Sequence, residues 1–370
     1  MFKSKNLYHY AFAFGLILVA SYFGNKWRQS FEPNDEYDMI KKYLLNDSPL
    51  YGFNKPKIWI HSNGEINARK WRDFQSRNTT DLNQPYINLT ISSIINHCAN
   101  DFNICLIDDD SFSKLIPTWD VDLKTVSDPI KSHMRDIGML QLVYLYGGIV
   151  VPNTFLCLKN LTGLYQEGIV SNKAFVVEAL NRSTDVAKQK HRLLFTPTLR
   201  MFGSEKNNGA IRELADYLRI VHLGITDPSN DMALPKQRNQ FPYFTSEPEF
   251  LGNVSQWFIT AIQNQQVNLI GGELIGIKTN KRKPVLIEDL MEEDFLDIST
   301  NAYGIYIPGD DMLKRIKYQW FSVMTVSEAL NTNSVLSKYL KASMVQGEHY
   351  DEYKIRADDD GSKIRSVISI

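Results

Sequence analysis

The chain has 370 residues, is 43% hydrophobic and 22% charged, and carries a formal net charge of -1. That composition is globular, with ample apolar material for a buried core. It excludes recruitment of nucleic acid or an anionic surface by the overall field, and no basic stripe with interleaved aromatics runs along the chain. The first element is an apolar run over about residues 7–24. It is preceded by Lys3 and Lys5 and followed by Lys26 and Arg28, with Tyr8, Tyr10 and Tyr22 at belt positions. At about 18 residues it reads as an uncleaved single-pass anchor over 1–30, of type II, with the main domain lumenal or external. A cleaved signal peptide and a buried helix are the rival readings. Sequons begin at Asn46, Asn78, Asn88, Asn160, Asn181 and Asn253, and permit a lumenal setting.

Residues 31–55 are polar, with Pro33, Asn34, Pro49 and Gly52, and read as a stem. A single main domain is expected over 56–345 and a polar tail over 346–370. Lys57-Ile-Trp-Ile-His61 is β-branched and aromatic and reads as the first core strand, closed by a turn at Ser62-Asn63-Gly64. Ile87, Ile91, Ile94 and Ile95 have helical spacing, so 85–98 is a helix. Residues 102–107 form a strand that ends on Asp108-Asp109-Asp110, and 113–119 is a short helix or loop.

The central unit follows. Ser127 is placed to cap a helix, with Asp128 at its positive end and Pro129 in its first turn. Ile130, Met134, Ile137 and Tyr144 keep the helical period to a stop at Gly147-Gly148. Ile149-Val150-Val151 is a compact buried strand ended by Pro152. Farther on, strands are expected over 174–180, 267–270 and 303–308, and helices over 211–221, 254–263, 312–320 and 326–340. A long loop is expected over 228–248 and a hairpin over 271–277. Strands alternating with helices make an α/β domain with a mostly parallel sheet, whose ligands sit beyond the carboxyl ends of the strands. Those ends are His61, Asp108 to Asp110, and Pro152 to Thr154. Cys98, Cys105 and Cys157 form no CxxC pair and read as small buried hydrophobes, with one disulfide as the alternative.

The segment from Lys57 to about Tyr165 resembles the nucleotide-sugar half of DXD-type glycosyltransferases, in particular the mannosyltransferase-like and capsular-polysaccharide-synthesis families with a GT-A fold. The likeness lies in the Ile-Trp-Ile strand and in Tyr146-Gly147-Gly148-Ile149 after an apolar helix. Aligned from the glycines, Asp136 falls on the family's helix aspartate, Arg135 on its serine and Met139 on its arginine. Pro152, Asn153 and Thr154 fall on Asp-x-Asp. Residues 201–208 are weakly similar to the family's acceptor-side segment.

The resemblance implies a GT-A-like domain that binds a nucleotide-sugar donor and a glycan or glycoprotein acceptor. The donor-side residues it implies, together with the strand ends, are Asp136, Arg135, His61, Asp108, Asp109, Gly147, Gly148, Asn153 and Thr154. The departure falls on the metal. In the family, hard carboxylates hold a divalent cation against the leaving diphosphate. Pro152 has no ligand atom and Thr154 has only a hydroxyl, so the family position holds no metal. Three readings stay open. Other carboxylates among Asp108 to Asp110, Asp310 and Asp311 hold manganese or magnesium; cations such as Arg135, Lys206 or Lys314 replace it; or the scaffold has lost transfer and serves as a glycan-binding or membrane-associated structural component.

Overall fold

The computed structural model describes residues 55–62, 84–117, 119, 121–126, 128–180, 195–223 and 247–344. The expected anchor, nearly all of the stem, the Ser127 cap and the polar tail lie outside them. Among the described residues no helix is long and apolar enough to cross a membrane.

Six strands make the central sheet: β1 (Lys57–His61), β2 (Asn103–Ile107), β3 (Gly148–Val150), β5 (Ala174–Leu180), β6 (Phe195–Ser204) and β7 (Val267–Ile270). Their order is β2-β1-β3-β6-β5-β7. β1 runs parallel to β2 and to β3, β6 is antiparallel to β3 and to β5, and β5 is parallel to β7. Five strands therefore share one direction and β6 opposes them, which is the mostly parallel sheet expected. A second, two-stranded sheet pairs β4 (Phe155–Cys157) with β8 (Gly304–Tyr306).

The strands are apolar on both faces because helices cover both faces. Ile58, Ile60, Ile104, Leu106, Ile149 and Val151 point into one core, under the helices α1 (Tyr86–Cys98) and α7 (Ile287–Met291), the β4–β8 sheet and the C-terminal helices. Trp59, Cys105, Ile107 and Val150 point into the other. That core is closed by α2 (Ser111–Leu115), α3 (Ile130–Tyr146), α5 (Gly209–Leu223) and α6 (Glu247–Gln263). All three cysteines are buried free thiols, with Cys98 and Cys157 Sγ 3.9 Å apart.

Several expectations are corrected. The helix placed over 113–119 starts at Ser111, because Asp108 accepts from the Ser111 N–H at 2.9 Å and ties down the turn. The 271–277 hairpin is a 3-10 turn over Gly272–Ile275, ended by Gly276 at φ +65°. The helix over 312–320 is two short ones, α8 (Gly309–Lys314) and α9 (Gln319–Ser322). The helix over 326–340 is also two, α10 (Val326–Asn331) and α11 (Val335–Met344). The break falls where the Ser334 hydroxyl accepts the Ser337 N–H and starts a new helix. β4, β6 and α4 (Thr162–Gly168) were not foreseen. The Asn88 sequon is buried inside α1, with Thr90 fully covered, so it is closed to modification in the folded chain.

Gly147 and Gly148 set the sheet's closest approach. Gly147 has φ +70° and Gly148 φ +108°. A side chain on Gly148 would lie 2.3 Å from the Lys57 carbonyl oxygen. The Trp59 indole N–H donates to the Gly147 carbonyl at 2.9 Å and locks the turn from the first strand. We therefore expect Gly148→Ala to destabilise the fold by about 3 kcal/mol, through an unfavourable φ plus a backbone clash. Gly209→Ala, where a side chain meets open space, serves as the near-neutral control. Chemical denaturation of both variants checks this, and equal stabilities would refute the packing role.

Candidate functional site

Two polar clusters stand at the carboxyl end of the sheet, one on each face. The first follows from strand alternation. Trp59 and Ile107 face the α3 side. Two residues farther along each strand, His61 and Asp109 continue on that side. Arg135 reaches them from α3, donating from Nε to Asp109 Oδ1 at 2.7 Å and from Nη2 to Oδ2 at 2.6 Å. His61 Nε2 lies 3.0 Å from Oδ1. A carboxylate only accepts, so that ring nitrogen carries the proton. The His61 ring stacks on Phe112, with centroids 5.7 Å apart, and Phe112 stacks on Trp119 at 5.0 Å. The helix comes this close because residue 138 is glycine: a side chain there would meet Phe112 at 2.7 Å.

Burial alone would raise the Asp109 carboxyl, but the hydrogen bonds from Arg135 and His61 outweigh it and hold the group well below the usual carboxylate range. The three neighbouring aspartates thus do three jobs. Asp108 caps α2 through Ser111, Asp109 faces inward, and Asp110 pairs with Lys124 at the surface at 2.8 Å.

The second cluster lies on the α1 face. Asn153 and Thr154 leave β3 toward it. The Asn153 carbonyl accepts from Thr90 of α1, and the Thr154 carbonyl accepts from the Ile307 N–H at 3.0 Å. Around them stand Tyr86, Arg200, Tyr306 and Asp310. Arg200 donates to the Tyr306 hydroxyl, and its guanidinium carbon lies 5.4 Å from that ring's centroid. Its Nη2 is 3.8 Å from Asp310. Gly309 is wedged in, since a side chain there would meet the Tyr86 hydroxyl at 2.9 Å and the Thr154 methyl at 3.0 Å. Tyr86 is fully buried and its hydroxyl has no hydrogen-bond partner among the described residues. Burial, reinforced by Tyr306 and Asp310, pushes that hydroxyl far above its ordinary value, so it stays protonated.

The structure thus brings His61, Asp109 and Arg135 together, and puts Asn153 and Thr154 at the same sheet end but across it. Asp136 is half-buried on α3 next to Arg135. Gly147 and Gly148 stand at the opposite end of β3, against Lys57, where they serve packing. Lys206 is at that far end too, its N–H against Gly147. Lys314 is exposed at the end of α8. Arg200, Tyr306 and Tyr86 were missed. A single arginine inside the apolar run Thr198-Leu-Arg-Met-Phe202 was the available signal.

The donor set does not suit a hard divalent cation. Among the described residues no three His, Cys, Asp or Glu side chains gather as metal ligands. Asp109 is engaged by Arg135 and His61, Asp108 by Ser111, Asp110 by Lys124, and Asp310 lies against Arg200. On the same edge, past β5 and β7, a polar cavity of about 430 Å³ opens between Glu178, Glu273, Lys278, Asn280 and Arg282. Lys278 pairs with Glu178 and sits over the Phe195 ring.

No protein-family model and no curated protein matches the chain. Among solved structures, it is similar to the PaToxG glycosyltransferase, at 14% identity over 62% of this chain and 80% of that one, with a TM-score of 0.29. It is also similar to the apo-form glycosyltransferase GlyE of Streptococcus pneumoniae TIGR4, at 10% identity over 79% of this chain and 64% of that one, with a TM-score of 0.30. The overlap is too low to carry a function across.

Breaking the Asp109 cluster tests its energetics. Asp109→Asn is expected to destabilise by about 2 kcal/mol, below the ~3–5 kcal/mol of a fully buried pair because the cluster keeps some contact with water. The folded carboxyl is depressed relative to its unfolded value of about 3.9. The stabilisation is therefore complete above about pH 4 and lost as pH falls through the folded value. Denaturation midpoints of wild type and variant should differ by a constant amount from pH 5 to 8 and converge in more acid solution. A gap that widens in acid would refute the assignment.

Proposed function

We propose that the chain is a glycosyltransferase-like protein that binds a nucleotide sugar across the carboxyl ends of β2, β1 and β3, for transfer to a glycan or glycoprotein hydroxyl. One observation carries this reading. The segment that resembles the donor-binding unit delivers Pro152 to Thr154 at the same end of the parallel strands as His61 and Asp109. An open parallel sheet binds its ligands at that end. Asp136 and Arg135 would hold the donor from α3, and the polar cavity beyond β5 and β7 would take the acceptor on the same edge. The apolar run before residue 30 would tether the domain to a membrane.

A second reading, a glycan-binding or structural component without turnover, is favoured by Pro152 and Thr154, which cannot coordinate a metal as carboxylates do, and by the closed Asp109 cluster. The two separate on Asp136. For a transferase, Asp136→Asn weakens UDP- or GDP-sugar binding by about tenfold, ~1.4 kcal/mol, and removes turnover with little loss of stability. A scaffold shows no binding to lose in titration calorimetry.

The register has its own check. The double variant Pro152→Asp, Thr154→Asp should acquire manganese affinity, read by calorimetry or by paramagnetic relaxation of water. A folded double variant that binds no manganese would overturn the alignment from the glycines.

A further inference from the structure

The carboxylates a metal would need at 152 and 154 are missing, and a cation stands on the neighbouring strand. Val150 pairs with Phe202, so Pro152 and Arg200 are each two residues beyond that pair, on adjacent strands. β6 is irregular there. Val176 pairs with Phe202 and Val177 with Thr198, which leaves Leu199 to Met201 as a bulge on the β5 side. A bulge re-aims side chains, and Arg200 is its middle residue. Its side chain keeps 38% of its surface exposed, in contact with Tyr306 and Asp310. The other ingredient is independent. The fully buried Tyr86 hydroxyl, unpartnered among the described residues, abuts Gly309 beside Thr154 and senses the charge of Asp310. A buried hydroxyl without a partner costs free energy unless something accepts from it.

We infer that Arg200 and the Tyr86 hydroxyl form a metal-independent oxyanion site for a diphosphate, with Arg200 in place of the divalent cation. The inference rests on the nucleotide-sugar reading for the rest of the ligand, but not for the anion. A guanidinium offers a planar fork of donors that matches two phosphate oxygens, is charged at every relevant pH, and needs no carboxylates to hold it. Tyr306 orients the fork. The Asp310 contact at 3.8 Å is looser than a close charge-assisted bond of about 2.8 Å, so a phosphate carrying more charge displaces it.

The test is calorimetric titration of the full chain with inorganic pyrophosphate, UDP, GDP and the parent nucleosides, in EDTA and again with manganese. Pyrophosphate and the nucleoside diphosphates should bind in EDTA, with manganese changing affinity less than about twofold. Arg200→Ala should weaken pyrophosphate and diphosphate binding at least about tenfold and leave nucleoside binding unchanged. Arg200→Lys should fall between, keeping charge but losing the fork. Tyr86→Phe should weaken pyrophosphate severalfold. Should Arg200→Ala not fold, Arg200→Gln applies the same test. Asp310→Asn should leave anion binding intact or tighter. Binding that requires manganese, that survives loss of Arg200, or that is abolished by Asp310→Asn would overturn the inference, as would no pyrophosphate binding at millimolar concentration. Pyrophosphate bound through Arg200 without any gain from the nucleoside would keep the anion site and sink the nucleotide-sugar reading. Nucleoside-dependent binding indifferent to Arg200 would do the reverse.

Discussion

The placement of both polar clusters depends on how tightly β3 is drawn into the sheet. β3 has only three residues, yet it joins the parallel half to the antiparallel β6. It does so through Gly148, which approaches the Lys57 carbonyl too closely for any side chain, and Gly203, where a side chain would lie 2.7 Å from the Gly148 carbonyl oxygen. Two glycines one register step apart on paired strands let three backbones approach without intervening side chains. The register that results carries His61, Pro152 and Arg200 two residues beyond the Trp59–Val150 and Val150–Phe202 pairs that flank β3. A slip of one residue would reverse every face and disperse both clusters. The glycine pair therefore acts on the site from its far end, by fixing what emerges at the near end.

The two clusters differ in electrical character, and that difference decides what each can do. On the α3 face, Asp109 is saturated: a bidentate guanidinium and an imidazole N–H satisfy both oxygens. Such a group is poorly suited to take a proton or a metal, because either would have to displace partners that already stabilise the charge. Its contribution is to fix His61 and Arg135, and to hold α3 against β1 and β2. On the α1 face the balance is reversed. Arg200 is only partly enclosed, its contact with Asp310 is 3.8 Å, and the buried Tyr86 hydroxyl has no hydrogen-bond partner among the described residues. An anion bound there, as we infer, would recover that free energy, whereas the Asp109 cluster recovers its own on folding.

The elements legible in the sequence were those whose burial is uniform. β1, β2 and β3 are short apolar runs, and α3 announces itself by period and by its glycine stop. β6 was not legible because Pro197 and Arg200 interrupt its pattern, and proline argues against a central strand. The structure resolves the conflict. β3 pairs with β6 only from Phe202 to Ser204, so at Pro197 β6 has β5 on one side and, among the described residues, no strand on the other. A missing N–H there costs no ladder bond on the open side. The inward choice among Asp108, Asp109 and Asp110 was legible in principle, because the alternation of Cys105 and Ile107 continues to Asp109. The cluster of Tyr86, Arg200 and Tyr306 was not, because those residues come from segments separated by more than a hundred positions, and only the folded sheet brings them together.

Replacing a metal by an arginine changes the physics of a phosphate site as well as its inventory. A divalent ion concentrates charge at a point and must be held by anions, so an aspartate pair there is as much a neutralising requirement as a recognition device. A guanidinium carries one charge spread over a plane and is tethered covalently, so aspartates beside it would compete with the ligand. Proline and threonine at 152 and 154 then lose their anomaly. Neutral residues are what an arginine site calls for, since carboxylates two residues from the β3 pairing edge would tie up Arg200 as Asp109 ties up Arg135. The Asp310 carboxylate is half-exposed and 3.8 Å from Arg200, a contact that orients the arginine without closing it. On the nucleotide-sugar reading, the neutral residues at 152 and 154 and the arginine on the neighbouring strand would form one arrangement, set across two strands that the antiparallel insertion of β6 brings side by side.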